Sequence, residues 1–254
     1  FFRIPVRARE PNPADEATDV PLDVVLSWRA GREAGTHNLY LSTDEQAVTQ
    51  GTISPSSIPA AGGCSASYGP LSLDLGKTYY WRIDEVNDLE EPNTWEGDVW
   101  NFTTPEYLVV DDFEDYADPN SLLARAAIRA VWHDGFKKVA SSGSNVIVST
   151  DSDVRYPHLA GVGPPWPVRD SEAMQFAYDN DGSIILYVLT FEPHTYSANA
   201  NYYSEIEAST SGPNSLEVGQ DWTVGGAEAL SLWFYGDPNN DAEQMYVKLN
   251  GSKV

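Results

Sequence analysis

Nowhere along its 254 residues does this chain repeat apolar side chains at helical spacing over a long segment. Short runs such as THNLYLST, TYYWRI and VWNFTT alternate instead. A spacing of three or four residues buries a stripe of a helix, whereas a period of two buries one face of a strand. With 12% aromatic residues, 19 Gly and 17 Pro to make turns, the chain is expected to be all-β. Its length suits two domains of roughly 100 to 150 residues each, so two β-sandwiches in tandem are the predicted architecture.

In the first half, Pro11 to Asp23 reads as a Pro- and Asp-rich lead-in, and VVLSWRA, Val24 to Ala30, follows as a strand with Val25 and Trp28 as core residues. Thr36 to Thr43 forms another. In LDLGKTYYWRIDEV, Leu73 to Val86, a turn at Gly76 precedes a strand. Its Tyr79, Trp81 and Ile83 share the core face, while Tyr80, Arg82 and Asp84 face water. VWNFTT, Val99 to Thr104, is the closing strand, stopped by Pro105. Between these strands, EVNDLEEPNTWEGD sets several carboxylates around Trp95, either as a site for a cation or sugar or as a hydrated hairpin tip.

The tryptophan on the second strand and the L-x-L-G-x-T-Y run before the penultimate one resemble a fibronectin type III-like or immunoglobulin-like sandwich over residues 10–105. The resemblance implies a spacer or adhesion module with no chemistry of its own. It also implies that the Tyr79 hydroxyl bonds back to the backbone.

The second half opens on VVDDFEDY, four carboxylates around one phenylalanine. On an extended strand Asp112 and Glu114 would point one way, with Asp111, Phe113 and Asp115 the other and Phe113 as the core anchor. Leu122 to Ala130 is the one good helical candidate. NVIVST, SEAMQFAYDN, SIILYVLTF, NYYSEIEAS, DWTVGGAEALSLWFYGD and QMYVKLNG then read as strands or strand ends. In LSLWFYGD, Leu230, Leu232 and Phe234 would lie on one face and Trp233 and Tyr235 on the other.

Residues 106–254 resemble the jelly-roll carbohydrate-binding modules of galactose-binding-like type, through VDDFEDY, VWHDG, SEAMQFAYDND, DWTVGGAEALSLWFYGD and MYVKLNG. The order of the two modules is similar to that of large modular proteins secreted by bacteria. In related modules a structural calcium lies beside the first strand, which makes Asp112 and Glu114 the carried-over ligand candidates for Ca²⁺. Hard oxygen donors suit that ion. Asp179 and Asp181, alternating in the Gly-containing turn YDNDG, are a second candidate pair. Such jelly rolls continue past the point where this sequence stops, so the second sandwich is expected to be incomplete. FFRIPVRAR, residues 1–9, is extended and locally basic, and is a candidate strand to fill the gap.

A formal net charge of −23, from 38 acidic against 15 basic residues, repels phosphate backbones and anionic lipid. No nucleic-acid partner is expected. No run approaches the roughly 18 apolar residues of a membrane span, so no membrane insertion is expected either. Cys64 stands alone in AAGGCSAS and has no intrachain partner for a disulfide.

Catalysis finds little support. His37, His133, His158 and His194 are scattered without metal-ligand spacing, and no Gly-x-Ser-x-Gly or nucleotide loop occurs. Asp112 and Glu114 on one strand cannot straddle a glycosidic bond, which needs carboxyl groups about 5 to 9 Å apart across a cleft. Sugar binding needs rings outside the core. Trp132, Tyr156, Trp166, Tyr187, Tyr196 and Tyr203 are the candidates, with Trp166 in the loop GVGPPWPVRD beside His158 and Arg169 in sequence. Each could equally be a core or loop-plugging ring. Asn101-Phe-Thr and Asn250-Gly-Ser match the glycosylation acceptor pattern. The sequence therefore predicts a non-catalytic extracellular module of a larger secreted or surface protein, binding glycan or polysaccharide through a calcium-stabilised jelly roll. The rival is a structural subunit that meets neighbouring domains or copies of itself in a surface layer or filament.

Overall fold

The computed structural model describes residues 5–114, 116, 127–128, 130–133, 144–150, 172–178, 184–187, 193–196, 205–232, 234 and 244–253. It is nearly all β and falls into two compact units. The first unit is Phe1–Leu108 with Asp221–Ala229, and the second is Val109–Gln220 with Leu230–Val254. A nine-residue piece of the predicted second module belongs to the first.

The first unit comprises β1 (Arg9–Asn12), β2 (Leu26–Arg29), β3 (Thr36–Ser42), α1 (Glu45–Gln50), β4 (Ser56–Pro59), β5 (Ser65–Tyr68), β6 (Thr78–Val86), β7 (Thr94–Trp95) and β8 (Val99–Thr103). Three strands pair in the order β1-β2-β5. The facing sheet runs β4-β3-β6, with β7 and β8 both on the far edge of β6. Trp28, Trp81, Ile83, Leu26 and Phe102 are fully buried between the sheets, as the period-two pattern predicts. Burying an Ile, Leu or Phe side chain contributes about 1.5–3 kcal/mol. Trp28 meets Trp81 edge-on at 6.3 Å, and Tyr79 stacks on Phe102 at 5.8 Å. The Tyr79 hydroxyl accepts the Asp74 backbone N–H at 3.0 Å, as expected.

Several expectations are corrected. Val25 is exposed, because Leu26 and Trp28 are the inward pair of β2. Arg82 and Asp84 are not wet. They are 4% and 6% exposed: Arg82 Nη1 donates at 2.6 Å to the Thr49 carbonyl of α1, a helix unforeseen in the sequence, and Asp84 Oδ1 accepts the Gly97 N–H at 3.1 Å. Asp44 caps the helix by accepting from the N–H groups of Gln46 and Ala47, and Gly51 ends it at φ 63°. Six residues form a marginal helix alone, so tertiary contacts hold it. The N-terminal segment is no free donor strand either. Among its described residues, Pro5 accepts from Arg32 N–H, Ala8 is 2% exposed in the first core, and Arg9 begins β1.

In the second unit the described strands are β9 (Trp132–His133), β10 (Ser144–Thr150), β11 (Glu172–Tyr178), β12 (Ile184–Tyr187), β13 (Pro193–Tyr196), β14 (Glu207–Ala208), β15 (Lys248–Leu249) and β16 (Ser252–Lys253). They pair antiparallel as β10-β11, β12-β13, β14-β9 and β15-β16. A buried cluster of Tyr116 and Ile128 is packed by Phe113, Ala127, Val131, Trp132 and Met174. Of the expected helix around 122–130, residues 127, 128 and 130 are described and helical. Among the described residues from Asp221 the expected strand is absent: residues 222–223 are turn, Val224–Gly226 is a 3₁₀ turn, and residues 221, 227–232 and 234 are irregular. Leu230, Leu232 and Phe234 are exposed.

Candidate functional site

The acidic opening of the second unit does not run as a strand. Asp111 Oδ1 accepts the Phe113 N–H at 2.8 Å, and Asp112 Oδ1 accepts the Glu114 N–H at 3.1 Å. Aspartates readily bond the backbone two residues on, which offers the chain an alternative to extension. Two such turns in succession carry Phe113 to φ 68°. The expected alternation is lost, and with it the shared face of Asp112 and Glu114.

The engaged carboxylate is Asp111, which sequence reasoning did not single out. Its Oδ2 accepts both the Tyr116 hydroxyl and Trp132 Nε1–H, each at 2.6 Å. Hydrogen bonds to an ionised acceptor are shorter and about twice as strong as neutral ones. Phe113 fills the space under this clasp, its ring 6.3 Å from Tyr116 and 6.0 Å from Trp132. Its predicted role as an anchor therefore holds, although the backbone that delivers it is a turn. The available signal was the Asp-Asp pair after an apolar run, which favours local turns over a continuing strand.

Trp132 is half-buried, with its indole N–H taken by Asp111 and its backbone paired with Ala208. Asp112 is exposed and Glu114 half-buried. Among the described residues no three His, Cys, Asp or Glu side chains gather to hold a metal ion. Tyr187 and Tyr196 lie at the ends of the β12-β13 pairing. Tyr156, Trp166, Tyr203, Asp179 and Asp181 lie outside the described residues.

In the first unit the buried charges serve packing. Arg82 bonds Asp84 Oδ2 at 3.0 Å and Glu96 Oε1 at 2.8 Å, and its guanidinium lies 4.7 Å from the centre of the Tyr40 ring. His37 and Glu85 are 1% and 0% exposed. Glu85 Oε2 meets His37 Nδ1 at 2.5 Å, and its Oε1 accepts the Gly31 N–H at 2.8 Å. Around Trp95, Glu96 binds Arg82 while Asp88, Glu90 and Glu91 are exposed.

No known protein family matches the chain, and no curated protein matches it. Among solved structures, a structure of alpha-L-rhamnosidase from Dictyoglumus thermophilum is similar over 59% of this chain, at 12% identity and a TM-score of 0.32. The match spans 15% of that enzyme's length. A likeness of that size carries no inference of activity.

Proposed function

We propose that the chain is a non-catalytic module of a larger extracellular or surface protein, in which a fibronectin type III-like spacer precedes a jelly-roll-like unit that binds glycan. The strand orders β1-β2-β5 and β4-β3-β6 with β7 and β8, together with the Tyr79 hydroxyl at Asp74, support the first half of the reading. The observation that carries the non-catalytic part is the Asp111 clasp: the first carboxylate of the acidic opening is committed to Phe113 N–H, Tyr116 and Trp132. A carboxylate so engaged orders rings and a turn. Glycan binding is tested on an array of neutral and acidic polysaccharides with purified protein, with and without calcium. Silence in both conditions defeats this half of the proposal, and polysaccharide turnover lost in Glu114→Gln defeats the non-catalytic half.

Calcium at Asp112 and Glu114 is a separate expectation of this reading. Isothermal titration of the chain and of Asp112→Asn decides it, since a real ligand set loses affinity on that change.

A structural subunit is the second reading, favoured by one observation: Leu230, Leu232, Phe234 and Met245 are all exposed. Exposed apolar side chains mark interaction surfaces where they form a contiguous patch. Sedimentation across a concentration series separates the two, because a binding module stays monomeric.

A further inference from the structure

The edge segment after β5 makes a regular ladder whose last rung comes from far away in sequence. Leu71 N–H donates to the Val24 carbonyl at 3.0 Å and Leu73 N–H to the Leu22 carbonyl at 3.1 Å. The chain before Leu22 then leaves this ladder, since Val20 N–H turns to the Thr103 carbonyl of β8. Leu75 N–H donates instead to the Gly225 carbonyl at 2.9 Å. Buried backbone donors are costly to leave unpaired, so Asp221–Ala229 completes what the first unit's own strands leave open.

The fit at this rung is selective. A Cβ on Gly225 would lie 2.6 Å from Leu22 Cδ1, 3.0 Å from Leu75 Cγ and 3.2 Å from Leu75 N. Gly225 also sits at φ 66° and Gly226 at φ 79°, but a Cβ on Gly226 would meet nothing within 4 Å. Backbone conformation asks for glycine-like residues at both positions, whereas the notch excludes a side chain at Gly225 alone. The segment keeps its own shape: Thr223 N–H bonds Asp221 Oδ1, Gly226 N–H the Thr223 carbonyl and Ala227 N–H the Val224 carbonyl. Asp221, Thr223, Val224, Gly226, Glu228 and Ala229 are exposed.

We propose that Leu75 N–H and the notch between Leu22 and Leu75 form a docking site for a glycine-bearing turn, which Asp221–Ala229 occupies as a strap that opens and closes while the sandwich stays folded. The strap brings its own internal hydrogen bonds and an exposed outer face, so releasing it forfeits a rung and a small apolar seat and leaves the core of Trp28, Trp81 and Phe102 intact. The same site accepts the turn in trans once the strap is displaced.

Amide hydrogen exchange of the full chain tests this, comparing Gly225→Asn with Gly226→Asn, because asparagine tolerates positive φ and only the first places a Cβ in the notch. In Gly225→Asn the Leu75 amide should exchange about ten-fold faster or more, with Leu73 unchanged, and Gly226→Asn should alter neither. A synthetic peptide of residues 219–230 added to Gly225→Asn should restore Leu75 protection, and the same peptide carrying the asparagine should not. The proposal is overturned if Leu75 stays protected in Gly225→Asn, if Leu73 and Leu75 exchange together, or if the wild-type peptide leaves Leu75 exposed. Should Gly225→Asn fail to fold, the wild-type chain decides alone: exchange of Leu75 ahead of Leu73 and Trp81 supports the strap, and exchange in step with them overturns it.

Discussion

His37 on β3 and Glu85 on β6 stand directly opposite one another in the strand register, and their side chains meet at 2.5 Å between the two sheets. The same glutamate holds the Gly31 N–H, and the imidazole stands edge-on to Trp28 at 5.5 Å. One polar pair thus ties three segments of the first unit together inside an apolar layer. Removing one partner of such a pair leaves the other buried and unsatisfied. Glu85→Ala should therefore cost about 3 kcal/mol or more, and Glu85→Gln, which keeps an acceptor for Gly31, should cost less. Urea unfolding followed by tryptophan fluorescence measures both, and equal small losses would show that the pair is dispensable.

The Asp111 clasp predicts a contrast between neighbours. Asp111→Asn weakens three contacts, two of them to ring donors, and should destabilise the second unit by about 1.5–3 kcal/mol. Asp112→Asn keeps an amide oxygen for the Glu114 N–H at an exposed position and should stay within about 0.5 kcal/mol of wild type. Near-ultraviolet circular dichroism should report loss of the Trp132 environment in the first variant alone. A result in which Asp112→Asn is the more damaging would return the weight to the pair first expected to matter.

Tyr79→Phe removes the acceptor of the Asp74 N–H while leaving the ring on Phe102. The loss should be about 1 kcal/mol, with an unchanged denaturant slope because the surface exposed on unfolding is the same. A change below a few tenths would mean that water replaces the hydroxyl at no cost.

Asp221 carries a pH prediction for the strap. The Thr223 hydroxyl and the Thr223 N–H both donate to its carboxylate and hold it below its ordinary value of 3.8. A depressed carboxyl contributes turn stability that is present above the unfolded value and is lost as pH falls through the folded one. Carboxyl chemical shifts followed by NMR should show this midpoint rise toward 3.8 in Thr223→Ala. An unmoved midpoint would detach Asp221 from the turn.

The first unit was legible where one residue's environment depends on its own strand. Tyr79, Trp81 and Ile83 alternate in sequence and share the core side in space. Arg82 and Asp84 escape that rule because their partners lie on other segments, Arg82's on α1, a turn and a half whose sequence marks are Asp44 and Gly51, and Asp84's at Gly97. Periodicity needs a longer window than six residues to register such an element. Asp111 is hard to read for a different reason. Strand alternation through VVDDFEDY competes with the bonding of aspartate to its own backbone, and here the backbone bonds prevail. The placement of Asp221–Ala229 is a tertiary outcome: DWTVGGAEAL is compatible with a glycine-broken strand, and only the open rung at Leu75 selects the turn. Nothing local to either segment announces the other.

That last pairing bears on how the polypeptide is made. Domains ordinarily fold in order as they leave the ribosome, at about 5–20 residues per second. Here the rung at Leu75 waits until Gly225 has emerged, a delay on the order of ten seconds at such speeds, during which the nascent sandwich carries an open seam. A strap of that kind leaves one rung of the earlier unit unfilled until translation has passed well into the later one.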